Sequence, residues 1–374
     1  RLVGSEMCIR DSIYSRFLKG EIGLMKNVLV LFGGASSEHD VSTVSACSVL
    51  KHIPADKYTI YMMGITKEGQ WYLYEGDVDA LPEDAWLKSG KCTPAFVSPD
   101  RGIHGITVLR EDGFENIRID IAFPVLHGKN GEDGTIQGLF QMAGIPFVGC
   151  DMASSAVSMD KVFTNTVADA NHVPQAAWDS ITAYEYKTGA KTLDEVAEKL
   201  GYPIFVKPAN AGSSVGITKA HDRAELEGAM ELALQHDTRI LFEEFIDGYE
   251  VECAVLGNDE LETGIVGQIL PANEFYDYDA KYANAASLLR IPAEVSEEKR
   301  NEVAEAAKHV FKALGGTGFS RVDFFVEKET GRVLFNEINT IPGSLAFYLW
   351  EPCGIPYADL IDRMVKHAME AQQD

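Results

Sequence analysis

The sequence has few basic residues and no long apolar run, and each absence excludes a class of protein. Its 33 Lys and Arg residues stand against 57 Asp and Glu residues, which gives a net charge of −24. Because a nucleic-acid-binding surface needs basic groups that contact phosphates, we expect no nucleic-acid partner. No apolar run approaches the roughly 20 residues that span a bilayer, so we expect no membrane-spanning segment.

Cysteines are few and scattered as well. The six cysteines form no Cys-x-x-Cys pair and no zinc-binding spacing, so we expect free thiols in a reducing, cytoplasmic compartment. A chain of 374 residues has room for two or three globular domains. Residues 1–24 lack the apolar centre of a signal peptide and fit poorly with the strand that follows Met25, so we expect a non-native or disordered extension there.

A P-loop is also absent, although one loop is rich in small residues. The segment "KPANAGSSVGI" covers residues 207–217, and its lysine precedes the glycines, whereas the lysine of Gly-x-x-x-x-Gly-Lys-[Ser/Thr] follows them. Gly212, Ser213, Ser214 and Gly216 are small enough for their backbone N–H groups to close around phosphate oxygens. The composition of this segment therefore predicts a phosphate-binding loop of another kind.

The order of apolar strands and helices predicts an α/β fold. Strands alternate with helices in the first part of the chain, which predicts a parallel sheet covered by helices on both faces. We expect the strands at 28–32, 58–65 and 119–126 and the helices at 41–53 and 135–142. This first domain is expected to cover residues 25–149.

A second unit is expected at residues 150–242. It contains one helix from about residue 159 to residue 170 and a later helix that begins with the capping box of Thr192 and Glu195. The phosphate-binding loop belongs to this unit.

A third unit is expected at residues 243–374. Ser296 is predicted to cap a helix, and the strands "SRVDFFVE" and "RVLFNEIN" then form a hairpin with a turn at residues 329–331.

Polar residues on the two strands of that hairpin carry the clearest chemical signal. Arg321 and Asp323 are two residues apart and therefore face the same side of one strand. Glu337 and Asn339 have the same spacing on the next strand. Two carboxylates and an amide oxygen suit Mg²⁺, which prefers oxygen ligands and bridges substrate phosphates. An ion-pair network on a solvated sheet face has the same spacing, and the spacing alone leaves both interpretations open.

Charged residues earlier in the chain favour a nucleotide site. Lys161 and Lys207 offer cations for phosphate groups. The carboxylates of Glu243 and Glu250 are candidates for hydrogen bonds to an adenine amino group and to ribose hydroxyls. In this order along the chain, these segments resemble the ATP-grasp ligases.

From Met25 onward, the chain resembles the D-alanine–D-alanine ligase family. Seven ordered motifs carry the resemblance: "GGASSEHDVS" (33–42), "HGKNGEDGTIQG" (127–138), "SMDK" (158–161), "KPANAGSSVG" (207–216), "FYDYDAKY" (275–282), "RVDF" (321–324) and "NEINTIPG" (336–343). The resemblance implies an α/β, three-domain ATP-grasp ligase with an N-terminal Rossmann-like parallel-sheet domain. It also implies ATP-dependent ligation of two D-alanine molecules through an acyl phosphate, for peptidoglycan precursors. ATP, two Mg²⁺ ions (or Mn²⁺) and a homodimer are expected.

The resemblance also assigns roles to individual residues. Glu38 is expected to bind the ammonium group of the first D-alanine, and Arg321 with the backbone N–H of Gly343 is expected to stabilise an oxyanion. The implied catalytic residues are Glu38, Ser213, Tyr282, Arg321 and Gly343. The implied substrate-binding residues are His127, Lys281 and Ser344. The implied nucleotide-binding residues are Lys161, Lys207, Ser214, Glu243, Glu244, Ile246 and Glu250. The implied metal ligands are Asp323, Glu337 and Asn339.

Two of these residues also have ordinary structural explanations. A carboxylate such as Glu38 at the start of a helix is favoured by the helix macrodipole. A single histidine such as His127 is more often structural than catalytic.

The segment after Gly343 departs from the family pattern. "SLAFYLWEP" (344–352) stands in place of a Thr-Ser-rich segment that helps to bind the carboxylate of the second substrate. Ser344 and Tyr348 offer hydroxyl groups, and the sequence leaves open which of them has this role. D-serine or D-lactate is therefore an alternative acceptor, although Tyr282 argues against D-lactate because depsipeptide-forming relatives typically lack a tyrosine there.

A nucleotide-dependent oxidoreductase is a remote alternative. A strand followed by Gly33 and Gly34 favours it weakly, because no Gly-x-Gly-x-x-Gly follows that strand.

Overall fold

The computed structural model describes residues 25–212, 215–270 and 289–371. The extension predicted at residues 1–24 lies outside these ranges. The described residues form three β-sheets, which follow one another along the chain. None of the described helices is both long enough and apolar enough to cross a membrane.

Seven strands form the first sheet. Their bounds are β1 (Lys26–Gly33), β2 (Tyr58–Ile65), β3 (Trp71–Tyr74), β4 (Cys92–Val97), β5 (Gly105–Arg110), β6 (Gly113–Arg118) and β7 (Ile121–Pro124), in the order β6-β5-β4-β3-β2-β1-β7. Strand β1 is buried from Val28 to Phe32 and pairs in parallel with β2 and β7. Helix α1 (His39–His52) follows β1, and helix α2 (Thr135–Ala143) follows β7.

The sheet predicted as parallel is mixed. Strands β3 to β6 run antiparallel to their neighbours, and the sequence analysis predicted none of them. Only residues 66–70 separate β2 from β3. A parallel connection needs a crossover of a dozen or more residues, so this short link can only turn the chain back as a hairpin.

The middle of the chain begins with two helices, and the helix predicted at about residues 159–170 corresponds to the second of them. Helices α3 (Met152–Met159) and α4 (Lys161–Ala170) are separated by Asp160, which has an extended backbone. The Asp160 carboxylate accepts the N–H of Val162 and caps α4, so the chain starts a new helix there.

A four-stranded antiparallel sheet follows in the order β10-β9-β11-β8. Its elements are β8 (Trp178–Thr182), α5 (Ala183–Thr188), α6 (Leu193–Leu200), β9 (Ile204–Pro208), β10 (Thr218–Ala220), α7 (Arg223–Ala233) and β11 (Arg239–Glu244). The capping box of Thr192 and Glu195 is confirmed at the start of α6. The predicted domain limits stay a prediction, and residue 243 lies within β11.

The third sheet has the order β15-β14-β12-β16-β17, with β13 paired to β12. Its elements are β12 (Gly248–Gly257), β13 (Leu261–Thr263), β14 (Gly267–Ile269), β15 (Leu289–Arg290), α8 (Glu297–Ala313), β16 (Phe319–Glu327) and β17 (Val333–Asn339). The side chain of Ser296 caps α8, as predicted. β16 and β17 form the predicted antiparallel hairpin. A register shift in this hairpin leaves Asn336 between two paired positions, as in a β-bulge.

One apolar core joins the first sheet to the last part of the chain. Buried residues of β1 and α1 belong to the same cluster as Leu345, Leu349 and Trp350. The apolar face of helix α9 (Tyr357–Glu370) belongs to it as well. The segment that follows Gly343 is therefore anchored in the core of the N-terminal sheet.

Replacing Leu349 tests this shared core. Leu349 is fully buried, and a Leu→Ala change at such a position costs about 2–5 kcal/mol through lost burial and the cavity that remains. We expect Leu349→Ala to lower the Tm clearly in thermal denaturation followed by circular dichroism. Leu232→Ala is the control, because Leu232 is 41% exposed on α7 and such changes usually stay within about 0.5 kcal/mol. Equal losses in the two variants would contradict the assigned core.

Candidate functional site

A cleft of about 1300 Å³ lies among the three sheets. Its walls come from the start of α1, the loop after β7, the start of α4, and strands β9, β11, β12, β16 and β17. The predicted site residues that line it are Glu38, His127, Lys161, Lys207, Glu243, Glu244, Ile246, Glu250, Arg321, Asp323, Glu337, Asn339, Gly343 and Ser344. Ser213, Ser214, Lys281 and Tyr282 lie outside the described residues.

The β16–β17 hairpin brings its polar residues together on one wall. Arg321 lies opposite Asn339, and Asp323 lies opposite Glu337. The guanidinium of Arg321 donates two hydrogen bonds to the carboxylate of Asp323, Nε to Oδ1 at 2.8 Å and Nη2 to Oδ2 at 2.7 Å. Nδ2 of Asn339 donates to Oδ2 of Asp323 at 3.1 Å. Because Asp323 is buried, this cluster is not an ion-pair network on a solvated face.

A further carboxylate joins this cluster from β12. Glu252 lies opposite Asp323 and is buried, and its Oε2 lies 3.1 Å from Nε of Arg321. The hydroxyl of Tyr348 donates to the same Glu252 oxygen at 3.3 Å. Burial opposes the charge of Arg321, but Asp323 and Glu252 raise the pKa of the guanidinium well above its ordinary value. The sequence analysis missed Glu252, although its spacing of two from Glu250 on one strand was an available signal.

Lys207 is held in a partly buried position by acidic and amide groups. Its Nζ lies 2.5 Å from Oε2 of Glu243 and donates to Oδ1 of Asn336, the bulge residue, at 3.4 Å. Oε1 of Glu243 accepts a hydrogen bond from Asn165 at 3.1 Å. Burial opposes the charge, but Glu243, together with Glu337, raises the pKa of Lys207 above its ordinary value. The expected adenine or ribose contact of Glu243 stays a prediction, because both of its oxygens bond to protein groups here.

Lys161 connects the small-residue loop with the hairpin. It is the first residue of α4, and its Nζ donates to the carbonyl of Ala211 at 2.9 Å. The same Nζ lies 3.8 Å from Oε2 of Glu337. A cation therefore lies between the start of the predicted phosphate-binding loop and one predicted metal ligand.

Glu38 is buried at the position that precedes α1. Its side chain makes no capping hydrogen bond to that helix. A Cβ atom at Gly128 or at Gly212 would lie 2.3 Å or 2.6 Å from Oε2 of Glu38, so the carboxylate would have to shift to admit one. Glu38 therefore does not cap α1 through a hydrogen bond, although a carboxylate at this position suits the helix macrodipole.

His127 is buried and bonds to protein groups through both ring nitrogens. Nδ1 lies 2.7 Å from the carbonyl oxygen of Ile341, and Nε2 lies 2.9 Å from the hydroxyl of Ser45 on α1. Burial lowers the pKa of His127, although the charge of Glu38 opposes this effect. The ring is therefore neutral at physiological pH. The substrate contact expected of His127 stays a prediction.

Glu132 is a second site residue that the sequence analysis missed. Its Oε2 accepts the N–H of Gly128 and its Oε1 accepts the N–H of Ile341, both at 2.8 Å. Burial, with a further contribution from Glu38, raises the pKa of Glu132 to about 8. The residue lies within the motif "HGKNGEDG", so the motif itself was the available signal.

Acidic side chains outnumber basic ones by more than two to one among the described residues that line the cleft. A polyphosphate would be repelled by this excess unless divalent cations entered with it. The carboxylates of Asp323 and Glu337 are oxygen ligands at paired positions, which suits such cations.

Comparisons with known proteins agree with this geometry. The family model described as the D-ala D-ala ligase N-terminus matches residues 27–150, and the model described as the D-ala D-ala ligase C-terminus matches residues 167–366. The chain belongs to the D-alanine–D-alanine ligase family.

Relatives of this ligase match over nearly its whole length. The D-alanine–D-alanine ligase of Acetivibrio thermocellus is 47% identical and is aligned over 94% of this chain and 98% of its own. Among solved structures, the VanG D-Ala:D-Ser ligase from Enterococcus faecalis has a TM-score of 0.83 and 39% identity, over 92% of this chain and 100% of its own. The D-alanine–D-alanine ligase from Coxiella burnetii has a TM-score of 0.80 and 29% identity, over 94% and 96% of the two chains. These matches favour the ligase over the oxidoreductase alternative.

Glu132 makes the stability of this ligase depend on pH. The pKa of Glu132 rises from an ordinary value of 4.5 to about 8 in the folded protein, so folding favours its protonated form. Its contribution to the free energy of unfolding is therefore present at low pH and is lost as the pH rises from about 4.5 to about 8. Because glutamine stays neutral, we expect the Tm of Glu132→Gln minus the Tm of the wild type to be larger at pH 8.5 than at pH 5. A Tm difference that is the same at both pH values would contradict the raised pKa.

Lys207 is expected to contribute to ATP binding. Lys207→Met should weaken ATP binding by about 1.5–3 kcal/mol, the range for hydrogen bonds to charged groups. The variant also leaves Glu243 without its cation, so calorimetry must be run at a temperature at which both proteins are folded. Lys308→Met is the control, because Lys308 pairs with Glu305 on α8, outside the cleft. An unchanged affinity in Lys207→Met would rule out the phosphate contact.

Proposed function

We propose that this ligase joins two D-alanine molecules into D-alanyl-D-alanine with hydrolysis of ATP to ADP and phosphate, as a step in peptidoglycan precursor synthesis. One observation carries the proposal. The β16–β17 hairpin presents a guanidinium and two carboxylates at paired positions, and Lys161 and Lys207 face the same cleft. The cleft therefore contains cations for phosphates, oxygen ligands for a metal and a charged group for an oxyanion.

The nucleotide is proposed to lie between β9 and β11 on one side and the hairpin on the other. Lys161 and Lys207 hold its phosphates, and we assign Ser214 of the small-residue loop to the nucleotide as well. The adenine and ribose lie along the segment from β11 to the start of β12, where Glu244, Ile246 and Glu250 line the cleft. Oε1 of Glu244 accepts the N–H of Ala177 at 2.8 Å, and the backbone N–H of Glu244 donates to the carbonyl of Ala177.

The residues present fit a divalent cation. Asp323 and Glu337 offer carboxylate oxygens and Asn339 offers an amide oxygen, all within the cleft. Asp323 also accepts hydrogen bonds from Arg321 and Asn339, and a carboxylate has lone pairs for a further ligand. Asp323, Glu337 and Asn339 would hold two Mg²⁺ ions, or Mn²⁺ in their place, which would supply positive charge that neutralises the ATP phosphates.

The first step activates D-alanine. Glu38 binds the ammonium group of the first D-alanine and so directs its carboxylate toward the γ-phosphate. A carboxylate oxygen forms a bond to the γ-phosphorus as the bond between that phosphorus and the β–γ bridging oxygen breaks, which gives an acyl phosphate and ADP. The contribution of Lys161 and Lys207 is positioning and charge neutralisation.

The second step forms the peptide bond. The amine of the second D-alanine attacks the acyl carbon, the nitrogen loses a proton, and the tetrahedral intermediate collapses as the bond to phosphate breaks. Arg321 and the N–H of Gly343 stabilise the oxyanion. We assign Ser213 and Tyr282 to orienting the reactants together with Glu38, and Lys281 to an acidic group of substrate or nucleotide.

The identity of the acceptor amino acid is the most specific part of the proposal. Ser344 is assigned to the carboxylate of the acceptor, because Tyr348 donates its hydroxyl to Glu252. D-serine is the second candidate acceptor, since a D-Ala:D-Ser ligase is among the similar solved structures. We place the reaction in the cytoplasm and expect the enzyme to act as a homodimer.

Product analysis tests the proposed function. With ATP, Mg²⁺ and D-alanine, the wild type should release phosphate and form D-alanyl-D-alanine, detected by mass spectrometry. D-serine and D-lactate are added in competition to identify the acceptor. Absence of a ligated product with all three acceptors would overturn the proposal. A dominant product that contains D-serine or D-lactate would show that this compound, and not D-alanine, is the acceptor.

Glu337→Gln tests the metal ligands in the same assay. Loss of the negative charge should lower kcat by about a hundredfold or more, with little change in Tm, because Glu337 is only partly buried. Glu329→Gln is the matched control, since Glu329 is exposed at the turn of the same hairpin. Equal activity of the two variants would remove Glu337 from the metal site.

A further inference from the structure

Three side chains of the N-terminal unit hold the backbone on either side of Gly343. Glu132 accepts the N–H of Ile341, and His127 donates to the carbonyl of the same residue. On the other side of Gly343, the N–H of Ser344 donates to the hydroxyl oxygen of Ser45 at 3.1 Å. The backbone from Ile341 to Ser344 is therefore bonded to the loop after β7 and to α1.

The proton positions in this network follow from its partners. The carbonyl of Ile341 can only accept, so Nδ1 of His127 carries the proton. Nε2 of the neutral ring is then an acceptor, and the hydroxyl of Ser45 must donate to it. That leaves the Ser45 oxygen to accept the N–H of Ser344. The hydroxyl of Ser45 thus donates one hydrogen bond and accepts another. Ser45 is buried, with 2% of its surface exposed.

The segment that Ser45 holds has a strained backbone. Ser344, Leu345 and Ala346 have φ angles of 47°, 56° and 50°, the left-handed region that side chains with a Cβ atom disfavour. Such conformations persist only where the surroundings over-determine them. Burial of Leu345 and Ala346 in the shared core supplies one constraint, and the hydrogen bond from Ser344 to Ser45 supplies another.

We propose that Ser45 is a positioning residue of the ligase reaction. By holding Ser344 against α1, it fixes the direction of the N–H of Gly343, one position earlier in the chain. The inference rests on the proposed function of Gly343 as an oxyanion donor. Ser45 touches no reacting atom and acts through Ser344 and His127.

A purely structural serine would behave differently from a positioning one. Ser45→Ala removes both hydrogen bonds but keeps a small residue in a helix, so folding should survive. Misplacement of a catalytic group by about 1 Å lowers rates by up to about a hundredfold. We expect kcat to fall about tenfold to a hundredfold, while the KM for ATP stays close to the wild type and the Tm falls moderately, because Nε2 of His127 and the N–H of Ser344 lose this partner. Ser45→Thr keeps the hydroxyl and should recover most of kcat.

The matched control is Ser48→Ala, one turn later on the same helix. The hydroxyl of Ser48 lies beside Tyr357, and Ser48 does not line the cleft. We expect this variant to keep the kcat of the wild type.

Hydrogen exchange provides a second readout that does not depend on activity. Followed by mass spectrometry, exchange should become faster in Ser45→Ala for the peptide that contains residues 341–346, and it should stay unchanged in the peptide that contains β1. Unchanged exchange in 341–346, or an equal fall in kcat for Ser45→Ala and Ser48→Ala, would overturn the inference. Failure of the wild type to form any dipeptide would instead overturn the proposed function, and the exchange result would then still decide whether Ser45 holds this segment.

Discussion

The register between β16 and β17 is the constraint on which the site depends. Side chains alternate across a sheet, so a slip of one residue would move Asp323 or Glu337 to the opposite face. The observed register sets Arg321 opposite Asn339 and Asp323 opposite Glu337. The bulge at Asn336 then allows the rest of the hairpin to pair while Asn336 contacts Lys207. Everything proposed for the metal and for the oxyanion follows from this pairing.

The cleft depends equally on contacts between parts of the chain that are far apart in sequence. The apolar cluster that includes Leu349 ties the segment after Gly343 to β1 and α1. Polar contacts from His127 and Glu132 bond the same region to the loop after β7. The charge of Arg321 is tolerated within the cleft because Asp323 and Glu252 compensate it. The result is a cleft in which the backbone of residues 341–344 is held by hydrogen bonds to the N-terminal unit.

Sequence reasoning predicted the parts of the fold that local pattern determines. The alternation of side chains along β16 placed Arg321 and Asp323 on one face. The capping box at Thr192 predicted the start of α6. Local pattern could not predict strands β3 to β6, because short half-exposed strands resemble loops until they pair. It also did not predict the separate helix α3, which ends at Met159 just before the predicted helix.

The same limit applies to the site. Glu132 and Ser45 act through hydrogen bonds to Ile341 and Ser344, about two hundred or more positions away in the chain, and no local periodicity reports such contacts. A left-handed turn without glycine, at residues 344–346, likewise carries no sequence signal. The motifs located the site, and the tertiary structure supplied the partners that orient it.

Locating a bound metal ion tests the central claim most directly. Crystals grown with Mn²⁺ and a non-hydrolysable ATP analogue would show the ion by its anomalous scattering. The account predicts a peak within about 2.0–2.4 Å of oxygen atoms of Asp323, Glu337 and Asn339, next to the nucleotide phosphates. A nucleotide bound in the cleft with the metal peak away from these three residues would contradict it.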